Sequence, residues 1–473
     1  MVFSSVLFIL IFLPFFLLAY YLANPKYKNL VILIGSILFN AWGTPKYILL
    51  IFTSLILNFY VIKQMYKHKN YSKILMILSI VINLGVLAYF KYFNFFIDNI
   101  NLILSLTSIH PLSWVRLALP VGISFFTFHS ISYTVDVYRD VHKPLDKLSD
   151  YAIYLLMFPH LIAGPIIRFS TIADDIVDRK HKETAENKLL GFYRFSIGIG
   201  KKVLIANIIG ETVDKIYALP INELSSQLSW IAIIGYSFQI YFDFSGYSDM
   251  AIGLARMMGF TFPENFNMPY VSKSITEFWR RWHMTLGDWM RDYLYIPLGG
   301  NRVKSQARLY FNLAIVFLLS GLWHGSSWNF IFWGAWHGLF LILDRVFLLN
   351  LYKKIGAIPS MLITYFIVLI GWLFFRVEGF MNAINYLKIM FSCKTSFVKF
   401  PINVDFWFVL ILAILISLIG SLPFGEKLKD IIYPSNLKPK TGFIYFLATF
   451  ILLLVGVSLI TATGFNPFIY FRF

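Results

Sequence analysis

Apolar runs close to a membrane thickness in length recur from one end of this chain to the other, separated by short loops rich in Lys and Arg. A bilayer core takes about 20 apolar residues per helix. Long runs with few alternating polar positions favour helices over a β-barrel. The pattern predicts an all-α integral membrane protein with 11–12 transmembrane helices, at 3–22, 29–43, 46–62, 74–97, 117–136, 190–213, 229–249, 308–323, 328–346, 358–376, 405–421 and 442–462. Two stretches, 150–168 and 271–300, are too polar or broken to cross simply and read as re-entrant or interfacial segments.

Basic residues orient the spans. Lys63, Lys67, Lys69 and Lys73 form one cluster. Arg168, Arg179, Lys180, Lys182, Lys188 and Lys201 form a second, and Arg280, Arg281, Arg291, Arg302, Lys304 and Arg308 a third. Alternating the spans puts all three in the cytoplasm and the neutral loops 98–116 and 216–228 outside, as the positive-inside rule requires. The loop 377–404 fits less well, carrying Lys388, Lys394 and Lys399 on the outer side. No positive charge precedes the run from Val6 to Leu22, which reads as an uncleaved first span with its N-terminus outside.

Composition agrees: 58% of the 473 residues are hydrophobic and 14% charged, with a mean hydropathy of +0.69. Soluble domains are nearer a quarter charged. With no polar linker, residues 1–473 read as one membrane-embedded domain. The net charge of +17 sits in loops between spans, so membrane orientation explains it better than nucleic-acid binding. A single cysteine, Cys393, excludes an intrachain disulfide, a thiolate zinc cluster and a CxxC motif. No phosphate-binding loop, GxSxG elbow or HExxH motif occurs, so no metal is expected.

Polar groups inside apolar segments are expensive and ask for a reason. His324, in Trp323-His324-Gly325, lies between two runs barely long enough to span, where a break can hold it in a cavity. A neutral imidazole can act there as a base, and Gly321 and Gly325 would admit a substrate close to the backbone. The competing reading is a histidine hydrogen-bonded within the core. His337 reads as helix packing. The stretch Phe278-Trp279-Arg280-Arg281-Trp282-His283-Met284 suits an interfacial helix. Alternatively, Arg280, Arg281 and Arg291 meet the phosphates of a donor at the cytoplasmic mouth, with His283 facing inward. Asp243 and Asp249 read as structural, each paired with an arginine of the following basic stretch; an ion-transporter site is the alternative. His129 and His160 lie in Pro- and Gly-broken segments and read as core hydrogen-bonding groups, with tunnel lining as the alternative.

Several motifs resemble the membrane-bound O-acyltransferase (MBOAT) family, and within it the bacterial AlgI/PatA-type polysaccharide O-acetyltransferases. They are Leu119 to Asp136, Phe158 to Arg168, Tyr241 to Gly253, Asn265 to Asn301, Ser320 to Gly338 and the ending Asn466 to Phe473. The MBOAT core lies roughly at 117–346, with C-terminal spans at 358–462. The resemblance implies a ring of helices around a funnel or tunnel. It implies catalytic roles for His324, as base or acyl carrier, and for His283, orienting the donor or stabilising an oxyanion. It implies acetyl-CoA as donor, whose phosphates Arg280, Arg281 or Arg291 would then meet. It also implies a polysaccharide acceptor, peptidoglycan or exopolysaccharide, an extracytoplasmic SGNH-type partner, and a multi-pass location in the bacterial cytoplasmic membrane. D-alanyl or other acyl transfer, or a transporter or channel, are the alternatives.

Overall fold

A computed structural model describes residues 2–43, 45–107, 109–395, 400–438, 441–463 and 469. Lys399 and the ending 466–473, apart from Ile469, lie outside the described residues. Among the described residues the structure is helical, without strands, as the apolar pattern predicts. Among the described residues, seven helices are long and apolar enough to cross a bilayer: Pro45–Lys67, Lys69–Leu106, Gln306–His324, Trp328–Ile355, Ala357–Arg376, Val404–Ser421 and Gly442–Ala462. The other five predicted spans are also helical, but shorter or more polar.

The chain packs as two compact units. The first holds Leu7–Thr184 and Met258–Phe262. Its helices are α1 (Leu13–Leu22), α2 (Lys28–Gly43), α3 (Ile48–Lys67), α4 (Ser72–Leu106), α5 (Ile123–Tyr138), α6 (Leu148–Leu156), α7 (Phe158–Leu161) and α8 (Phe169–Val177). The predicted re-entrant stretch 150–168 is α6 and α7, broken where Met157 precedes the Phe158-Pro159 turn. His129 and His160 are fully buried here. His129 Nε2 accepts from the Ile167 backbone N–H at 3.1 Å, and His160 Nε2 bonds the Tyr154 carbonyl at 3.0 Å. Both are core hydrogen-bonding groups, as expected.

The second unit holds Val2–Val6, Ala185–Met257 and Pro263–Phe473. It contains α9 (Ala185–Gly200), α10 (Ile208–Tyr217), α11 (Ser226–Met257), α12 (Ile275–Trp279), α13 (Met284–Met290), α14 (Gln306–His324), α15 (Trp328–Leu343), α16 (Leu349–Ile355), α17 (Ala357–Arg376), α18 (Phe380–Met390), α19 (Val404–Leu418), α20 (Gly425–Ile432) and α21 (Gly442–Thr463). A π-helical segment, Lys201–Asn207, joins α9 to α10.

Glycines spaced seven apart bring α9 and α11 into backbone contact. A Cβ on Gly198 would lie 2.5 Å from the Gly246 carbonyl oxygen, and one on Gly253 2.6 Å from that of Gly191. Small residues facing each other are how membrane helices approach this closely. The approach also closes an ion-pair network. Asp249 meets Arg194 and Lys201 at 2.6 Å each, Arg194 also meets Glu264 at 2.6 Å, and Lys202 meets Asp243 at 2.6 Å. The structural reading of both aspartates holds, but their partners are on α9 and the π segment, not on the following basic stretch. These charges also explain why α9 and α11 are too polar to count among the seven apolar spans.

Candidate active site

The site is built on residues 265–301. Helix α12 starts at an N-cap: the Ser274 hydroxyl accepts from the Glu277 N–H at 3.0 Å, and the Glu277 carboxylate accepts from the N–H of Lys273, just before the cap, at 2.9 Å. Asp344, buried at the end of α15, accepts from both the N–H and hydroxyl of Thr276 at 2.8 Å. Thus α12 is fixed at its first turn to the α15 end. The chain then turns sharply. His283 has φ +45°, a left-handed conformation uncommon for a side chain of its size, and caps α13. The stretch ends in a glycine turn, Gly299 at φ +104° and Gly300 at φ +56°, as expected from Leu298-Gly299-Gly300-Asn301.

A cavity of about 320 Å³ lies between this stretch and helices α14 and α15. Arg280, Arg291, Tyr295 and Arg345 line it, and Arg280, Arg291 and Arg345 are exposed. Met284, Leu286, Met290, Val316, Phe317 and Leu341 supply apolar walls, and His283 and Ser320 also line it. Along α14 the lining runs from Leu313 to Ser320, about 10 Å of helix at 1.5 Å per residue. The whole of α14, with 19 residues, rises about 28 Å, close to the hydrocarbon thickness.

His283 is 1% exposed. Its Nδ1 lies 3.1 Å from Asn265 Oδ1, and its Nε2 has no hydrogen-bond partner among the described residues. Burial pushes its pKa down to about 3, so the ring is neutral near pH 7. The Phe244 ring packs edge-on at 4.7 Å.

His324 is the last residue of α14, one turn beyond Ser320 on the same face. It is buried among Trp323, Trp333 and Phe375, at ring distances of 5.0, 4.9 and 5.3 Å. It is not among the residues lining the 320 Å³ cavity. Trp323 bridges the two histidines: its ring is 6.4 Å from His283.

The three predicted arginines part company. Arg280 lines the cavity and has no ion-pair partner among the described residues. Arg291 lines it too, held by Asp288 at 2.8 Å and Asp292 at 2.7 Å. Arg281 turns away, bonding Glu277 at 2.9 Å and the Asn267 carbonyl at 3.2 Å. Its place in the lining is taken by Arg345, whose guanidinium donates to Asn301 at 3.1 Å. Arg345 follows an apolar run, so its sequence position reads as an ordinary helix-end charge.

Gly321 and Gly325 do not open the backbone to a substrate. A Cβ on Gly321 would lie 2.2 Å from the Phe330 carbonyl oxygen, and one on Gly325 2.1 Å from the Phe330 ring. They serve the packing of α14 on the start of α15. His337 packs as expected, fully buried against Trp279 and Trp333 at 5.1 Å.

Comparison with known proteins follows the same residues. The model of the membrane-bound O-acyltransferase family matches residues 37–375. The chain is 44% identical over 398 residues to a probable alginate O-acetylase AlgI of Pseudomonas aeruginosa, covering 84% of this chain and 76% of that protein. It is 36% identical over 423 residues to a peptidoglycan O-acetyltransferase of Helicobacter pylori, covering 82% and 79%. A teichoic acid D-alanyltransferase of Bacillus subtilis is 30% identical over 279 residues, 55% of this chain and 69% of that protein.

Proposed function

This chain belongs to the membrane-bound O-acyltransferase family, and from that premise we propose that it takes acetyl groups from cytoplasmic acetyl-CoA and passes them across the membrane to an extracytoplasmic polysaccharide. It is a multi-pass membrane O-acyltransferase. The observation that carries the finer reading is the cavity, lined by three exposed arginines, apolar walls and the buried His283 and Ser320.

Each part suits the donor. Phosphates of CoA pair with guanidinium groups through charge-assisted bonds, and Arg280, Arg291 and Arg345 offer three that are exposed. The positive-inside pattern puts them on the cytoplasmic side. The apolar walls take the less polar arm that carries the thioester. The acetyl carbon then arrives beside His283, with His324 one helical turn further toward the outer side. His283 supplies the proton transfer that an attacking hydroxyl needs, and His324 orients that hydroxyl from the acceptor's side. The acceptor is peptidoglycan or an alginate-like exopolysaccharide, reached directly or through an SGNH-type partner, in the cytoplasmic membrane of a bacterium.

A transporter using Asp243 and Asp249 has less support, because both carboxylates are held by Lys202, Arg194 and Lys201. The test is to express His324→Ala and His283→Ala variants at normal membrane abundance and measure polymer-bound acetate. Each loses at least about a hundredfold in acetylation, the scale of acid–base catalysis. Full acetylation by the His324→Ala variant sinks the proposal. Mass spectrometry of the polymer separates acetyl from D-alanyl or longer acyl groups.

A further inference from the structure

The hydrogen bonds around Asn265 determine which nitrogen of His283 carries the proton. Asn265 is 1% exposed, on the strap between α11 and α12. Two backbone bonds tie this strap to the turn that carries His283: Asn267 N–H to the Arg281 carbonyl and Met284 N–H to the Asn265 carbonyl, both 2.9 Å. The Asn265 side chain sits inside this clasp. Its Oδ1 accepts from the Thr285 backbone N–H at 3.3 Å and from the Thr285 hydroxyl at 2.9 Å, and its Nδ2 donates to Ser248 on α11 at 3.0 Å.

A backbone N–H can only donate, so the amide atom facing Thr285 is the oxygen. The same oxygen lies 3.1 Å from His283 Nδ1. An amide oxygen only accepts, so Nδ1 carries the proton. In a neutral ring Nε2 then carries the lone pair, and Nε2 is a buried atom without a hydrogen-bond partner among the described residues, on a side chain that lines the cavity.

We propose that Asn265 is a positioning residue that locks His283 in the Nδ1–H tautomer and so makes Nε2 the proton acceptor of the cavity. This rests on the acetyl-transfer reading above. It replaces the oxyanion-stabilising role expected of His283, which needs an N–H at that atom. The hydroxyl proton moves to Nε2 as the oxygen bonds to the thioester carbonyl carbon. The C–S bond then breaks, and Nε2 returns the proton to the departing sulfur. The charged and titratable groups sharing the cavity are Arg280, Asp288, Arg291, Tyr295 and Arg345. From α11 and α14 the ring meets Phe244 and Trp323, which do not titrate.

The test is ¹⁵N NMR of the full-length protein labelled at histidine, with His283 assigned by difference from a His283→Gln variant. The expected spectrum has a protonated, pyrrole-type Nδ1 and an imine-type Nε2. In Asn265→Asp the carboxylate moves the protonation midpoint of His283 up by about one unit or more. In Asn265→Ala the tautomers mix, and kcat falls more than about tenfold while KM for acetyl-CoA holds within about threefold. A wild-type spectrum with the proton on Nε2 overturns the proposal, as does an unmoved midpoint in Asn265→Asp or an unchanged kcat in Asn265→Ala. Should the variants fail to fold, the wild-type spectrum alone decides. Should the wild type not use acetyl-CoA, the functional reading fails while the spectrum still reports the tautomer.

Discussion

Two neighbouring arginines show how little residue type says about role. Arg280 is exposed and lines the cavity without an ion-pair partner among the described residues, whereas Arg281 is spent on Glu277 and the Asn267 carbonyl. With acetyl-CoA as the proposed donor, Arg280→Gln is therefore expected to raise its KM. Losing a hydrogen bond to a charged group costs about 1.5–3 kcal/mol, or roughly 10- to 150-fold. Arg281→Gln leaves KM within about threefold and lowers stability by about 1 kcal/mol at most, because its ion pair is partly exposed. Steady-state kinetics on the purified pair checks both. His283 adds a pH dependence with a definite sign. Its folded value of about 3 lies below the ordinary 6.5 of the unfolded chain, so the unfolded state binds the proton first as pH falls. The stability tied to the neutral ring is full above pH 6.5 and is lost as pH falls toward 3. Melting temperature drops across that window, and His283→Asn flattens the drop.

Helices here are held by features that a hydropathy profile averages away. Gly198 and Gly246, with Gly191 and Gly253, let α9 lie directly on α11. Gly198→Ala puts a methyl 2.5 Å from a carbonyl oxygen, and overpacking of that kind costs about 1–3 kcal/mol. A methyl added at Gly85 on α4 would meet nothing within 4 Å, so Gly85→Ala gains up to about 1 kcal/mol of helix propensity. Thermal denaturation of the two variants in one detergent should move in opposite directions. Asp249→Asn strands Lys201 and leaves Arg194 with Glu264 alone, and breaking a buried pair costs about 3–5 kcal/mol. The seven-residue glycine spacing was present in the sequence, yet nothing in one helix alone says which partner its glycines face. The N-cap of α12, Ser274 with Glu277, by contrast, was legible locally, because both of its bonds close within one turn.

Across the whole molecule, orientation in the bilayer has a handle in the one cysteine. Cys393 is exposed, in the loop that alternation of spans puts outside. A membrane-impermeant maleimide should label it in intact cells. On a Cys393→Ser background, Lys304→Cys, at the exposed basic end, should react only after permeabilisation. The reverse pattern removes the cytoplasmic entry of the donor. Hydropathy and basic loops sufficed for the all-α class and for placing helices at every predicted span, since bilayer thickness and backbone hydrogen bonding act on each segment separately. The histidines and Arg280 stood out for the same local reason, as polar groups in apolar or aromatic surroundings. Which arginines share a cavity, which cations hold Asp243 and Asp249, and which nitrogen of His283 meets a hydrogen-bond partner were decided only by tertiary structure. The first two depend on Asp344 or α9 arriving from elsewhere in the chain and the last on Asn265 meeting His283 Nδ1, and contacts between distant segments leave no periodicity in the sequence to read.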